Sequence, residues 1–167
     1  MSLEIERKFL LPAYPADLME KHVIRIQKEQ LIEQTYLALA GDQELRVRKI
    51  IDLTDDQTEY THTFKKGHGI AREEVEYSIS EGLYEQMIHT HQAVPLIKKR
   101  TTAMWGDTLI EIDDYKQINL MVLEVEFASV EEAESFVPPD WFGKDISTEK
   151  QYSNKKVWRE LQERKEG

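Results

Sequence analysis

Eight segments of this chain alternate charged and apolar residues at a period of two, and no other feature constrains the fold as much. In an extended strand, residues i, i+2 and i+4 point to one side. The segments run near 3–11, 30–39, 43–52, 58–66, 70–79, 95–104, 108–115 and 121–128. In the first, Glu4, Glu6 and Lys8 share a face opposite Leu3, Ile5 and Phe9. Glu44, Arg46 and Arg48 align in the third, and Thr61, Thr63 and Lys65 in the fourth. The fifth aligns Arg72, Glu74 and Glu76, and the sixth Lys98 with Arg100. Glu111 with Asp113, and Glu124 with Glu126, complete the series.

The connections between these segments are short. Ala40-Gly41-Asp42 and Lys66-Gly67-His68-Gly69 read as hairpin turns. Helical spacing predicts helices at 16–27, 81–91, 130–136 and 153–165, the last one heavily charged up to Lys165. Pro12, Pro15, Pro95, Pro138 and Pro139 all fall at element edges or in loops. Strands outnumber helices, so the expected class is α+β, an antiparallel sheet or barrel with helices packed outside. The 167 residues and the absence of any Gly/Ser or Pro-rich linker predict one domain over 1–167.

A wet sheet face explains charge on any one strand. It does not explain why acidic pairs and basic pairs are segregated by strand. Eight strands can close into a barrel whose apolar outside is covered by helices and whose ionic faces line a ligand-binding interior. Carboxylate pairs from different strands are hard oxygen donors suited to Mg²⁺ or Mn²⁺. Lys and Arg on neighbouring strands suit phosphate, with Arg able to bind it bidentately.

Composition removes other chemistries. The chain has no Cys, which excludes disulfides, zinc thiolate sites, iron–sulfur clusters and thiol nucleophiles. Its net charge of −10 argues against nucleic acid and anionic membranes as partners. No apolar run approaches the ~20 residues of a membrane span, and Met1-Ser2-Leu3-Glu4 opens no signal peptide. The expected location is cytoplasmic.

Glu4-Ile5-Glu6-Arg7-Lys8 is an E-x-E-x-K motif. It is followed in order by Gln34-x-Tyr36, Arg46-x-Arg48, Thr63-x-Lys65, Arg72-x-Glu74-x-Glu76, Lys98-x-Arg100, Glu111-x-Asp113, Glu124-x-Glu126 and Lys150-x-Tyr152-x-Asn154. This ordered series resembles the CYTH superfamily, the triphosphate tunnel metalloenzymes. The resemblance implies an eight-stranded antiparallel barrel around a tunnel, a divalent metal and a small-molecule triphosphate substrate. Carried over by position, Glu4, Glu6, Glu124 and Glu126 are the expected metal cluster, with Asp113 and Glu111 beside it. Arg46, Arg48, Lys65, Arg72, Lys98 and Arg100 are the expected phosphate binders, joined by Lys8 and Lys150. Lys8, Glu74 and Glu76 are expected to serve catalysis, the two carboxylates by orienting the basic groups. The resemblance leaves the general base unassigned.

The family hosts several chemistries, and fold alone does not choose among them. The stretch Val137-Pro138-Pro139-Asp140-Trp141-Phe142-Gly143 resembles short bacterial members that hydrolyse inorganic tripolyphosphate, in which the C-terminal helix packs near one tunnel mouth. Thiamine triphosphate would need an aromatic platform, for which Trp105, Trp141 and Trp158 are candidates by composition only. A class IV adenylyl cyclase would need an adenine pocket, and the His-Phe pair common before E-x-E-x-K in that branch is replaced here by Met1-Ser2-Leu3. A non-catalytic polyphosphate sensor would have little use for so many carboxylates. Gln151 departs from the family, standing where relatives often carry Arg. His22, His62 and His68 have no companion at metal-ligand spacing, and His89 and His91, two apart on a predicted helix, face different directions. Oligomeric state and metal preference stay open at this level.

Overall fold

The computed structural model describes residues 2–166. Met1, Gly167 and the side chains of Glu166 and of Lys165, which belongs to the charged face expected of the last helix, lie outside the described residues. The strands are β1 (Ser2–Leu10), β2 (Ile24–Ala40), β3 (Gln43–Asp52), β4 (Thr58–Lys66), β5 (Ala71–Ser78), β6 (Leu96–Trp105), β7 (Thr108–Tyr115) and β8 (Met121–Glu126). All pair antiparallel and close in the order β1-β5-β4-β3-β2-β6-β7-β8, so the barrel leaves no free sheet edge. Helices α1 (Ala16–Glu20), α2 (Glu81–His91), α3 (Val130–Ser135) and α4 (Asn154–Glu166) accompany it, with a 3₁₀ turn at Lys150–Tyr152.

One expected element is wrong. The helix predicted over 16–27 is a single turn ending at Glu20, and β2 begins at Ile24 rather than near 30. The chain reverses at His22, whose φ is 61°. Beyond it Ile24 pairs with Trp105 and Ile26 with Ala103 across β6. β-branched residues favour that half-buried pleated surface over a helix. Bulges at Ile26/Lys28 and Tyr36/Ala38 interrupt the register of the resulting 17-residue strand.

Most of the apolar core lies on the outside of the barrel wall. Phe9, Leu11, Ile24, Ala103, Ile110, Ile112, Leu123 and Val125 form one cluster, covered by Leu18 and Met19 of α1 and by Phe136, Trp141 and Phe142. Much of that cover is therefore a loop, not the helices alone. Arg7 clamps it to β1: Nη1 donates to the carbonyls of Ala133 (2.9 Å) and Phe136 (2.7 Å), while Nη2 meets Asp145 at 2.8 Å. Close by, Gly143 N–H donates to the Leu10 carbonyl at 2.8 Å. A Cβ on Gly143 would overlap that same carbonyl oxygen and touch Pro12 Cδ at 3.3 Å. Gly143→Ala is therefore expected to destabilise the protein by about 1–3 kcal/mol, read as a lower midpoint of thermal unfolding. An unchanged midpoint would mean that this loop shifts freely.

A second cluster closes one end of the barrel. Leu96, Tyr115 and Val122 lie on the inward faces of β6, β7 and β8, each two residues along its strand from Lys98, Asp113 or Glu124. Val157, Trp158 and Leu161 of α4 pack on them with Ile146. Gln162 pins the helix, its side chain accepting from Val94 N–H (2.8 Å) and donating to Val94 O (2.7 Å). The C-terminal helix thus sits at one mouth, as expected.

Candidate active site

Inside the barrel lies a cavity of about 1000 Å³. The inward faces predicted from the alternation line it: Glu4, Glu6 and Lys8; Arg46 and Arg48; Lys65; Arg72, Glu74 and Glu76; Arg100; Glu111; Glu124 and Glu126. Lys150 joins them from the 3₁₀ turn. Strand pairing explains their grouping. Glu6 faces Glu126 and Lys8 faces Glu124 across β1 and β8, while Glu111 faces Glu124 across β7 and β8. On the far wall, Arg46 pairs with Thr63 and Thr63 with Glu76. Lys65 stands between Glu44 and Glu74.

Glu4, Glu6 and Glu126 form a convergent acidic group, each offering a carboxylate oxygen within 4.8 Å of the others. Burial, with Glu124 and Glu4 alongside, pushes the Glu6 carboxyl well above its ordinary range. Burial and the neighbouring carboxylates Glu111, Glu4 and Glu124 raise Glu126 as well. Burial opposes ionisation of Glu4 too, but a hydrogen bond with Glu74 and the Lys65 ammonium at 2.8 Å hold it well below the usual carboxylate range. Burial and hydrogen bonding to Glu4 push Glu74 up to about 8. Clustered carboxylates that resist ionising together have the donor chemistry of a hard divalent cation site, so the residues fit such an ion.

The basic wall is complementary. Arg72 meets Glu44 at 2.7 Å, and Arg100 meets Asp113 at 2.8 Å and Glu111 at 3.1 Å. Arg46 and Arg48 are different, since neither has a carboxylate within ion-pair distance among the described residues. Arg46 is only 3% exposed, with its Nε left without a partner. Arg48 Nε donates to Gln34 Oε1 at 3.2 Å, and burial with Arg46 and Arg100 beside it pulls it down to about 10. Glu44, Glu76 and Glu74 lie near enough to favour the charged form of Arg46, yet two crowded guanidinium groups with no carboxylate in direct contact make a ready anion site.

Not every expected residue reaches the cavity. Lys98 and Asp113 are both 0% exposed and, although on inward faces, do not line the cavity. Lys98 Nζ is 2.9 Å from Asp113, whose other oxygen takes Arg100 Nε at 2.8 Å. Asp113 is thus taken up by two cations and stands apart from the Glu4–Glu6–Glu126 group. Lys8 lines the cavity and donates to the Tyr152 carbonyl at 2.9 Å. Gln151 is exposed and makes only a long contact, 3.5 Å, to Glu149.

Glu44 aligns with Arg46 and Arg48 in the sequence, and Gln34 and Tyr36 stand in the ordered motif series, yet the sequence assigns none of the three a role in the site. All three are buried; Glu44 shares the face of Arg46 and Arg48, and Gln34 and Tyr36 pair with Arg48 and Arg46 across β2 and β3, a register that the period-two signal alone does not give. Trp105 and Trp141, candidates for an aromatic platform, pack instead with Phe136 and Phe142 outside the barrel. Trp158 stands edge-on to Tyr36, with ring centroids 5.5 Å apart.

Residues 2–158 match the CYTH domain family. The chain belongs to that family. Among relatives of this CYTH protein is an inorganic triphosphatase of Nitrosomonas europaea, 34% identical over 91% of this chain and 94% of its own length. An inorganic triphosphatase of Acetivibrio thermocellus is 28% identical over 92% of each chain. A crystal structure of an inorganic triphosphatase superposes with a TM-score of 0.62 at 30% identity, covering 95% of both chains. No helix among the described residues is long and apolar enough to cross a membrane.

Proposed function

We propose that this CYTH protein hydrolyses inorganic tripolyphosphate to pyrophosphate and orthophosphate with Mg²⁺ or Mn²⁺. The observation that carries the proposal is the opposition of two walls: Arg46 and Arg48 without carboxylate partners, against the convergent Glu4, Glu6 and Glu126. β3 lies on the far side of the closed barrel from β1 and β8, so a linear polyanion can bridge the two. The inorganic triphosphatase relatives at 34% and 28% identity favour the substrate that needs only phosphate and metal recognition.

In this reading Glu4, Glu6 and Glu126 hold the metal, with Glu124 and Glu111 beside them. When bound, a divalent ion polarises the phosphorus under attack and offsets the charge of the triphosphate. Arg46, Arg48, Lys65, Arg72 and Arg100 cradle the phosphate oxygens, and Lys150 extends the cradle. Lys98 acts from beneath the cavity lining by fixing Asp113 and through it Arg100. Glu74 and Glu76 orient Lys65 and Arg46 across the β4–β5 and β3–β4 pairings. A water oxygen bonds to the terminal phosphorus, its proton passes to surrounding water, and the bridging P–O bond breaks so that pyrophosphate leaves with the electron pair. Arg46, Arg48 and Lys8 then stabilise the charge that spreads over the transferred group and the leaving oxygen. With Trp105 and Trp141 outside the barrel, neither can serve as a thiamine platform.

Product analysis tests this directly, with tripolyphosphate, ATP and thiamine triphosphate offered separately under Mg²⁺ and Mn²⁺. The expected result is orthophosphate and pyrophosphate from tripolyphosphate, faster than from the organic substrates and abolished by chelator. Cyclic AMP and pyrophosphate from ATP as the dominant reaction would overturn it.

A further inference from the structure

We infer that Gln34 is a positioning residue, which orients the Arg48 guanidinium through a neutral acceptor and so leaves the charge of Arg48 for the substrate. The inference deepens the proposed function and rests on reading the cavity as a phosphate site. Geometry is the first argument. Gln34 on β2 lies directly across from Arg48 on β3, and Arg48 Nε donates to Gln34 Oε1 at 3.2 Å. Arginine only donates, so the amide oxygen must face Nε and the amide nitrogen must face elsewhere. With Nε held, the guanidinium plane is fixed, and its two Nη groups remain as a fork for phosphate oxygens. Arg48 lines the cavity, whereas Gln34 is 0% exposed and stands outside the lining. Gln34 therefore acts through Arg48 and not on the substrate.

The kind of acceptor is the second argument. Lys65 meets Glu4 at 2.8 Å and Arg72 meets Glu44 at 2.7 Å, while Lys98 and Arg100 share Asp113 at 2.9 and 2.8 Å. Arg48 stands instead between Gln34 on β2 and Thr61 on β4, both neutral. Glutamate has the length and shape of glutamine and would answer the same Nε with a stronger, charge-assisted bond. A carboxylate at that position would also take up the charge that a phosphate needs. The amide fixes the same geometry without that competition.

A third, independent observation concerns the other end of the amide. Gln34 Nε2 is buried and has no hydrogen-bond partner among the described residues. A buried donor left unpaired is unfavourable, and either Glu or an apolar residue of the same shape would remove it. Keeping Gln here breaks a local rule, as functional sites do. Burial, with Arg46 and Arg100 beside it, already pulls Arg48 down to about 10, so it stays a cation near neutral pH. A neutral acceptor is the partner that holds such a cation in place while leaving it uncompensated.

Two substitutions in the full chain separate the charge from the hydrogen bond. Gln34→Glu keeps the shape and the acceptor but adds a negative charge, and it should raise KM for tripolyphosphate about tenfold or more. Gln34→Met keeps the length but loses the acceptor along with the unpaired donor, and it should lower kcat/KM about threefold to tenfold. A double-mutant cycle with Arg48→Met then identifies the group through which Gln34 acts. In that background the loss from Gln34→Met should vanish, because no guanidinium is left to orient. A merely structural role would give the same loss in both backgrounds and overturn the inference. A wild-type KM in Gln34→Glu would overturn it too, since a carboxylate would then serve as well as the amide. Where Gln34→Glu melts below the assay temperature, the cycle alone decides. If the wild type does not hydrolyse tripolyphosphate, the proposed function fails separately. Calorimetric titration of tripolyphosphate with Mg²⁺ then decides the role of Gln34: about tenfold weaker binding by Gln34→Glu supports it, and equal affinity overturns it. A wild type that does not bind tripolyphosphate overturns both.

Discussion

Glu6→Gln is expected to lower tripolyphosphate hydrolysis by at least about a hundredfold while raising the thermal stability of the metal-free protein. Both effects have one cause. Glu6, Glu4 and Glu126 place carboxylate oxygens within 4.8 Å of one another inside the barrel, and like charges so close in a part-buried site repel strongly. Losing a partner in the outer shell of a metal site already costs about 10–100-fold, and Glu6 is proposed to contact the ion itself. The sign of the stability change follows from linkage. Burial and neighbouring carboxylates raise the Glu6 carboxyl well above its ordinary range. A carboxyl raised on folding binds its proton more tightly in the native state, so the native state loses stability as pH climbs from the unfolded value toward the folded one. Gln cannot ionise and escapes that loss. Near neutral pH, in chelator, the variant should melt higher by about 2–4 °C for each ~1 kcal/mol relieved in a protein of this size. Adding Mg²⁺ or Mn²⁺ should raise the melting point of the wild type but barely move the variant. Thermal scans with and without metal measure both quantities at once. A variant that melts lower in chelator, or keeps the metal-induced rise, would remove Glu6 from the cluster.

The sequence legibly carried the barrel and most of its lining because the strand period is two, so one in-register alternation assigns a whole face. Glu4, Glu6, Arg46, Arg48, Lys65 and Glu126 all reach the cavity from faces identified that way. The start of β2 was illegible for a physical reason. Apolar residues at Leu18, Met19, His22-flanking Val23 and Ile26 fit a helical spacing as well as a strand, and only the pairing of Ile24 and Ile26 with β6 decides between them. Asp113 shows a second limit. Glu111-x-Asp113 and Glu124-x-Glu126 have the same spacing, yet they face different neighbours. β8 pairs with β1, bringing Glu126 to Glu6, whereas β7 pairs with β6, bringing Asp113 to Arg100. Face is a local property, while the partner across the face depends on strand order and register.

That difference makes Asp113→Asn the sharpest contrast with Glu6→Gln. Asp113 and Lys98 are both 0% exposed, and Arg100 holds the second Asp113 oxygen at 2.8 Å. Burial by itself would raise the Asp113 carboxyl, but Arg100 and Lys98 hold it well below the usual range. Burial pulls Lys98 the other way, down to about 7, with Asp113 the main group resisting. Removing that anion leaves the buried Lys98 without its ion-pair partner and Arg100 with Glu111 alone, and breaking a buried pair in this way costs about 3–5 kcal/mol. For a chain of this length that corresponds to a fall in melting temperature of roughly 10 °C or more. The sign differs from that of Glu6. A carboxyl depressed on folding contributes stability that is fully present above its unfolded value and is lost as pH falls through the folded one. The gap between wild type and Asp113→Asn should therefore be full at neutral pH and narrow in acid, below about pH 4. It should also be the same in chelator and in saturating Mg²⁺, because Asp113 spends its oxygens on Arg100 and Lys98. Should Asp113 instead belong to the metal cluster, its variant would behave like Glu6→Gln, with an unchanged or higher melting point in chelator and no response to metal.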